Sequence, residues 1–200
     1  MSESKPTLNH KVVHWALGKW HLRVKIPGHK AGECWDFAEM ALRKAGAKTS
    51  YDLGEVTPDS DYVWGNPVET RDVIPGDILQ MRDYKETTET VTKYTFSDGT
   101  WLSRDSTAEM KHPHHTAIVR GMMDPKTGVI PTLEQHVGHS GVVLKMQIYT
   151  RDVPAIVTTT TETHKNPNSK KFEKATVITT VTRTVDPNTR IWAYRPISKG

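Results

Sequence analysis

The sequence predicts an α+β domain: N-terminal helices packed on an antiparallel sheet, with two Thr-rich β-hairpin insertions. Three observations predict it. Residues 33–45 carry the apolar spacing of a helix, and residues 76–194 read mostly as short strands. In addition, 26 of the 200 residues are threonine, concentrated in two stretches of that second region. Helical faces repeat every 3.6 residues and strand faces every two, so the patterns mark different elements.

Residues 1–8 are polar and expected to be loose. From His10 to Leu22, Val13, Ala16, Leu17 and Trp20 fall on one helical face, so a short amphipathic helix is expected, weakened by Gly18. A Pro/Gly loop follows over 26–32. The strongest helix spans Glu33 to Ala45, with Cys34, Ala38, Ala41, Leu42 and Ala45 on its apolar face. Glu33 and Asp36 in its first turn and Arg43 and Lys44 in its last suit the helix dipole, and Gly46 suits the position just past the end. Residues 49–76 are expected to be irregular.

Strands are then expected at Asp77–Met81, Lys85–Tyr94 and Thr100–Arg104, the last two flanking the turn signal Ser97-Asp98-Gly99. Further strands are expected at His115–Gly121, Val129–Gln135, Gly141–Tyr149, Val153–His164, Lys174–Val185 and Ile191–Tyr194. Threonine suits exposed strand faces, because its branched Cβ fits the pleat and its hydroxyl tolerates water. Residues 83–106 and 150–187 therefore read as two solvated ribbons inserted into a single domain spanning 1–200.

Composition bounds the function. The formal charge is +4 with acids interleaved throughout, which predicts no specific nucleic-acid partner. A single cysteine, Cys34, excludes an internal disulfide and a multi-cysteine zinc cluster. No run of about 18 apolar residues exists, so no transmembrane segment is expected. Residues 1–6 lack the apolar stretch of a secretory signal, so a cytoplasmic location is expected.

Cys34 opens the strongest helix, where the positive helix end and free backbone N–H groups lower a thiol pKa. A nucleophilic cysteine needs a base. His115 begins an apolar strand and can face a helix N-terminus. Glu134 and His136 sit two apart near the next strand's end, where alternation puts both on one face, and either can hold the His115 ring. Nucleophile, base and orienter thus follow in order along the chain.

That order resembles the NlpC/P60 and CHAP superfamily of papain-like cysteine peptidases and amidases. The resemblance rests on Gly32-Glu-Cys34-Trp-Asp-Phe-Ala38, Ile74-Pro-Gly-Asp-Ile-Leu79, His115-Thr-Ala-Ile-Val119 and Leu133-Glu-Gln-His136. The final Tyr194-Arg195-Pro196 is similar to the CHAP-like cysteine-proteinase-fold domain of fungal actin-patch proteins. It covers roughly residues 10–82, 112–149 and 190–196, not the Thr-rich ribbons. It implies a papain-like fold, with Cys34 as nucleophile, His115 as base and Glu134 as orienter. His136 stands where CHAP enzymes usually carry Asn. The Cys34 backbone N–H is implied as an oxyanion donor.

Other residues have plainer readings beside functional ones. Trp35, Trp64 and Gln135 are candidates for lining a substrate pocket. His112, His114 and His115, with His136 or His139, form a possible metal cluster, but alternation separates 114 from 115 and no metal or other cofactor is expected. Asp77 reads as a brace at a strand start. The expected activity is thiol-dependent hydrolysis of a peptide or amide substrate, cell-wall peptides included. The alternative is a catalytically inactive interaction module whose protein partner docks on the Thr-rich ribbons.

Overall fold

The computed structural model describes residues 5–29, 32–57, 59–138 and 140–200. Part of the expected loose N-terminus and three loop residues, Lys30, Ala31 and Pro58, fall outside the described residues, as does His139.

Among the described residues three helices form: α1 (Leu8–Leu17), α2 (Cys34–Ala45) and the single turn α3 (Ser50–Leu53). Eight strands follow among them: β1 (Asn66–Val68), β2 (Ile78–Phe96), β3 (Trp101–Val119), β4 (Val129–Glu134), β5 (Leu144–Tyr149), β6 (Val153–Lys165), β7 (Phe172–Val185) and β8 (Arg190–Arg195). A 3-10 turn at Thr70–Asp72 interrupts the loop before β2.

Strands take 48% of the described residues and helices 15%. The expected α+β papain-like architecture, helices packed on a sheet, is therefore overturned: the fold is β-rich and mostly antiparallel sheet. The cause lies in the ribbons. Fragments expected as separate short strands are continuous 19-residue strands, β2 and β3. Polar residues between the fragments do not break a strand whose faces are largely wet, because β-branched Thr and Val sustain it.

The sheet runs in the order β1-β8-β2-β3-β4-β5. Two strands share one edge of β2: β8 pairs with residues 78–82 and β7 with residues 86–96. The two ribbons are thus joined through β7 into one outer sheet, with β6 at its rim. A small cluster of Tyr94, Phe96, Ala175 and Val177, flanked by Leu102, is buried on that outer sheet.

The main core lies nearer the termini of the strands that carry the site. Val12, Ala16, Phe37, Ala38, Ala41 and Leu42 of α1 and α2 pack with Trp64, Ile78, Ile118 and Leu133. A second cluster, with Leu79, Met81, Ala117, Val119, Ile130 and Ile148, fills the other face of the same strands. The α1 face differs from expectation. The helix stops at Leu17, Trp20 lies beyond it, and Leu17 and Trp20 are exposed, while Asn9, Val12, Val13 and Ala16 are buried.

Asp77 ties these parts together. Arg195 grips its carboxylate through two nitrogens at 3.2 and 3.0 Å. Asn9 Nδ2 and the Ile74 backbone N–H also donate to it, at 2.7 and 2.9 Å. The preceding Gly76 sits at φ 94°, and a Cβ there would lie 2.2 Å from the Asn9 carbonyl oxygen. Only glycine allows this approach of α1 to the turn.

Candidate active site

Cys34 is the first residue of α2, and the helix start is held from two sides. The Asp36 carboxylate accepts the Glu33 backbone N–H at 2.9 Å. Gln135, wholly buried, donates to the Val24 and Glu33 carbonyls and accepts the Val24 N–H at 2.7 Å. Gln135 therefore clamps the loop beneath the helix start; it does not line the cleft, contrary to its expected place.

On the facing strand, His115 of β3 is brought beside the Cys34 thiol, so that each shifts the other's ionisation. One edge of its ring meets Glu134, with Nε2 to Oε2 at 3.1 Å. Nε2 is engaged by Glu134, which leaves Nδ1 as the ring nitrogen available to the sulfur. Glu134 is fully buried at the end of β4, and Thr132 Oγ1 donates to its other oxygen at 2.5 Å. Strand alternation places Thr132 and Glu134 on one face.

The electrostatics follow from burial and pairing. Burial would raise the Cys34 pKa, but the His115 charge and hydrogen bond, with backbone hydrogen bonds from Thr116 and Trp35, outweigh it and hold the thiol below its ordinary value. Burial would lower His115, yet the Cys34 thiolate and then Glu134 overcome it and push His115 up to about 10. Burial likewise opposes ionisation of Glu134, and its hydrogen bond to His115 leads the effects that bring it below the usual range. A buried carboxylate needs an opposite charge. The shifts all run in the direction that favours a thiolate, an imidazolium and a carboxylate side by side.

His136 does not join them. β4 ends at Glu134, and His136 adopts φ 64°, which carries its half-exposed ring to the Glu33 carboxylate instead. Its expected role as orienter of His115 is corrected on that geometry. The alternation rule that grouped it with Glu134 applies only inside a strand.

A cleft of about 400 Å³ opens over Cys34, walled by Trp35, Tyr51, Tyr62 and His114, with Glu33 at its margin. Trp35, a pocket candidate from the sequence, is one of the residues in that wall. Its Nε1 donates to Ser50 Oγ at 3.0 Å, and that hydroxyl donates to buried Glu39 at 2.9 Å. Trp64 is buried and donates to Gln80 Oε1 at 3.1 Å, outside the cleft lining.

His112, expected only as a possible metal ligand, packs against the base instead. Its ring stacks on His115, with centroids 4.3 Å apart and planes 12° apart, and Tyr84 stacks on it with centroids 5.7 Å apart. His114 instead meets Tyr62 at 5.0 Å. Alternation fails at this point of β3. Pro113 lacks an N–H, the Asp83 opposite sits at φ 53°, and the ladder skips that pair.

Donor atoms of His112, His115 and Glu134 lie within 4.8 Å of one another. The two imidazoles are nearly parallel, however, so their lone pairs lie in separate planes and do not converge on one ion. The residues as arranged do not fit a metal.

Comparison with protein-family models, curated proteins and solved structures finds no match to this chain. Among the described residues, no helix is long and apolar enough to cross a membrane.

Proposed function

We propose that this chain is a thiol-dependent hydrolase of peptide or amide bonds. The observation that carries the reading is Cys34 lining an open cleft beside His115, whose ring is hydrogen-bonded to buried Glu134. The order of these residues agrees with the NlpC/P60 and CHAP resemblance, although the β-rich architecture departs from what that resemblance implied.

In this reading the Cys34 thiolate attacks the carbonyl carbon, and the oxygen becomes an oxyanion beside the N-terminus of α2. The imidazolium of His115 gives its Nδ1 proton to the leaving amine as the C–N bond breaks. A thioester remains. Neutral His115 then removes a proton from water, the hydroxide adds to the thioester, and the carboxylic acid departs as the thiolate reforms against a reprotonated His115. Glu134 keeps the ring oriented throughout.

Cys34 is the sole cysteine, so alkylation reports on it alone. The native chain is expected to react with iodoacetamide well below pH 8, and His115→Ala to return the inflection toward the ordinary thiol value near about 8.5. A native thiol that reacts only above about pH 8, indifferent to His115→Ala, overturns the reading. Turnover is read by mass spectrometry on a mixed peptide pool, with Cys34→Ala as the blank.

The alternative of an inactive interaction module draws on one feature: among the described residues β6 pairs with β7 alone, and its Ile156 and Val157 are exposed. Strand addition there predicts peptide binding unaffected by Cys34→Ala.

A further inference from the structure

Behind the reacting groups lies a buried histidine that the proposed chemistry does not use. His112 is 6% exposed, and its Nε2 has no hydrogen-bond partner among the described residues. Leaving such an atom unpaired costs stability, whereas phenylalanine in the same space would cost nothing of that kind. The ring is also placed with care. It lies flat on His115, it is backed by Tyr84, and its Nε2 stands 3.7 Å from the Glu134 oxygen that binds His115. Tyr84 is itself fixed, accepting the Tyr149 backbone N–H at 3.1 Å and donating to buried Glu86 at 3.2 Å.

We propose that His112 is a positioning residue of this site: its neutral ring, held by Tyr84, fixes the plane of His115 so that one edge serves Cys34 and the other Glu134. This rests on the hydrolase reading above for its purpose, but not for its geometry. An imidazole hydrogen-bonded at both edges can still tilt about the line joining its two partners. Neither Cys34 nor Glu134 resists that tilt, and a ring packed on the flat face does. The ring has to be uncharged, because a second cation stacked on the His115 imidazolium would push its proton away. The titratable groups facing His112 are His115 on its own strand, Glu134 from β4 and Tyr84 from β2. Glu134 already answers His115, so His112 is left neutral.

Two variants separate the ring from its nitrogen. His112→Ala removes the stack and is expected to lower the alkylation rate of Cys34 at pH 6.5 at least tenfold, with the inflection moving up toward an ordinary thiol. His112→Phe restores the flat ring and is expected to recover at least half of the native rate. An unchanged rate and pH profile in His112→Ala overturns the proposal. So does a His112→Phe variant as impaired as the Ala variant, since the ring is then not what matters. If His112→Ala does not fold, the Phe arm still decides. The imidazole ¹⁵N shifts of His115, read by NMR in the native chain and the variants, follow its two ring edges whether or not Cys34 turns over substrate. A native thiol with ordinary titration sinks the hydrolase reading alone. His115 shifts unmoved by His112→Ala sink this one.

Discussion

At the scale of single residues, the site turns on which groups carry charge. Glu134→Gln keeps the shape but removes the charge that His115 answers. The expected result is a lower His115 pKa, a higher Cys34 pKa and a loss of alkylation rate at pH 6.5 of roughly tenfold or more, measured on the same iodoacetamide profile. His112 gives a separate acid signature. Burial, then the adjacent His115 charge, lowers its pKa to about 4 from 6.5. The unfolded chain therefore takes up a proton between those values that the folded chain refuses, and stability falls as pH drops through that window. At about 1.4 kcal/mol per pH unit the loss approaches 3 kcal/mol. The urea midpoint of the native chain is expected to fall from pH 7 to pH 4.5 by more than that of His112→Phe. Equal falls count against a neutral buried His112. Much of this was legible in the sequence. Cys34 at a helix start, His115 at an apolar stretch and Glu134 near a strand end come from local pattern, and the structure brings all three together. His136 misled because alternation was carried past the end of β4. His112 was hidden because Pro113 and Asp83 break the alternation that would have exposed it.

At the scale of elements, α2 was readable almost to the residue, since its apolar spacing, charged ends and following Gly46 act locally. The outer sheet was not. Pairing of β7 with β2 joins residues about 90 apart in sequence on average, and no local pattern encodes that partnership. The wet faces of β2 and β3 also disguised their length, because Thr at both parities erases the period-two signal. The outer sheet has its own small core, so it can loosen apart from the site. Val177 is 3% exposed within it. Val177→Ala removes two buried carbons and is expected to cost about 2 kcal/mol. Hydrogen exchange should quicken in residues 86–96 and 172–185, while alkylation of Cys34 keeps its native pH profile. A Val177→Ala variant whose thiol profile shifts would mean that the ribbon and the site are one cooperative unit.

At the scale of the whole molecule, the question is how a β-rich chain with short helices holds a helix start against a strand closely enough to pair Cys34 with His115. The answer runs through Asp77. It stands just before β2, the strand paired with the one that carries His115, and its carboxylate gathers α1 through Asn9, the preceding turn through Ile74 and the end of the chain through Arg195. α1 packs on α2, so a displaced Asn9 is felt at the helix that carries Cys34. Asp77 is fully buried while the Arg195 side chain is 37% exposed, so the pair has lost its water on one side only. Removing the acid strands one half-exposed cation and two uncompensated donors, and Asp77→Ala is expected to cost about 3 kcal/mol. Asp77→Asn, which can still accept from Asn9 and Ile74, should cost less. Arg195→Met alone leaves a buried carboxylate without its cation and should cost about as much as Asp77→Ala, whereas the double variant should cost clearly less than the sum of the two. Urea midpoints of the four proteins give that coupling. Strict additivity would show that Asp77 and Arg195 act independently, and the closure of the fold would then have to come from the buried apolar faces alone.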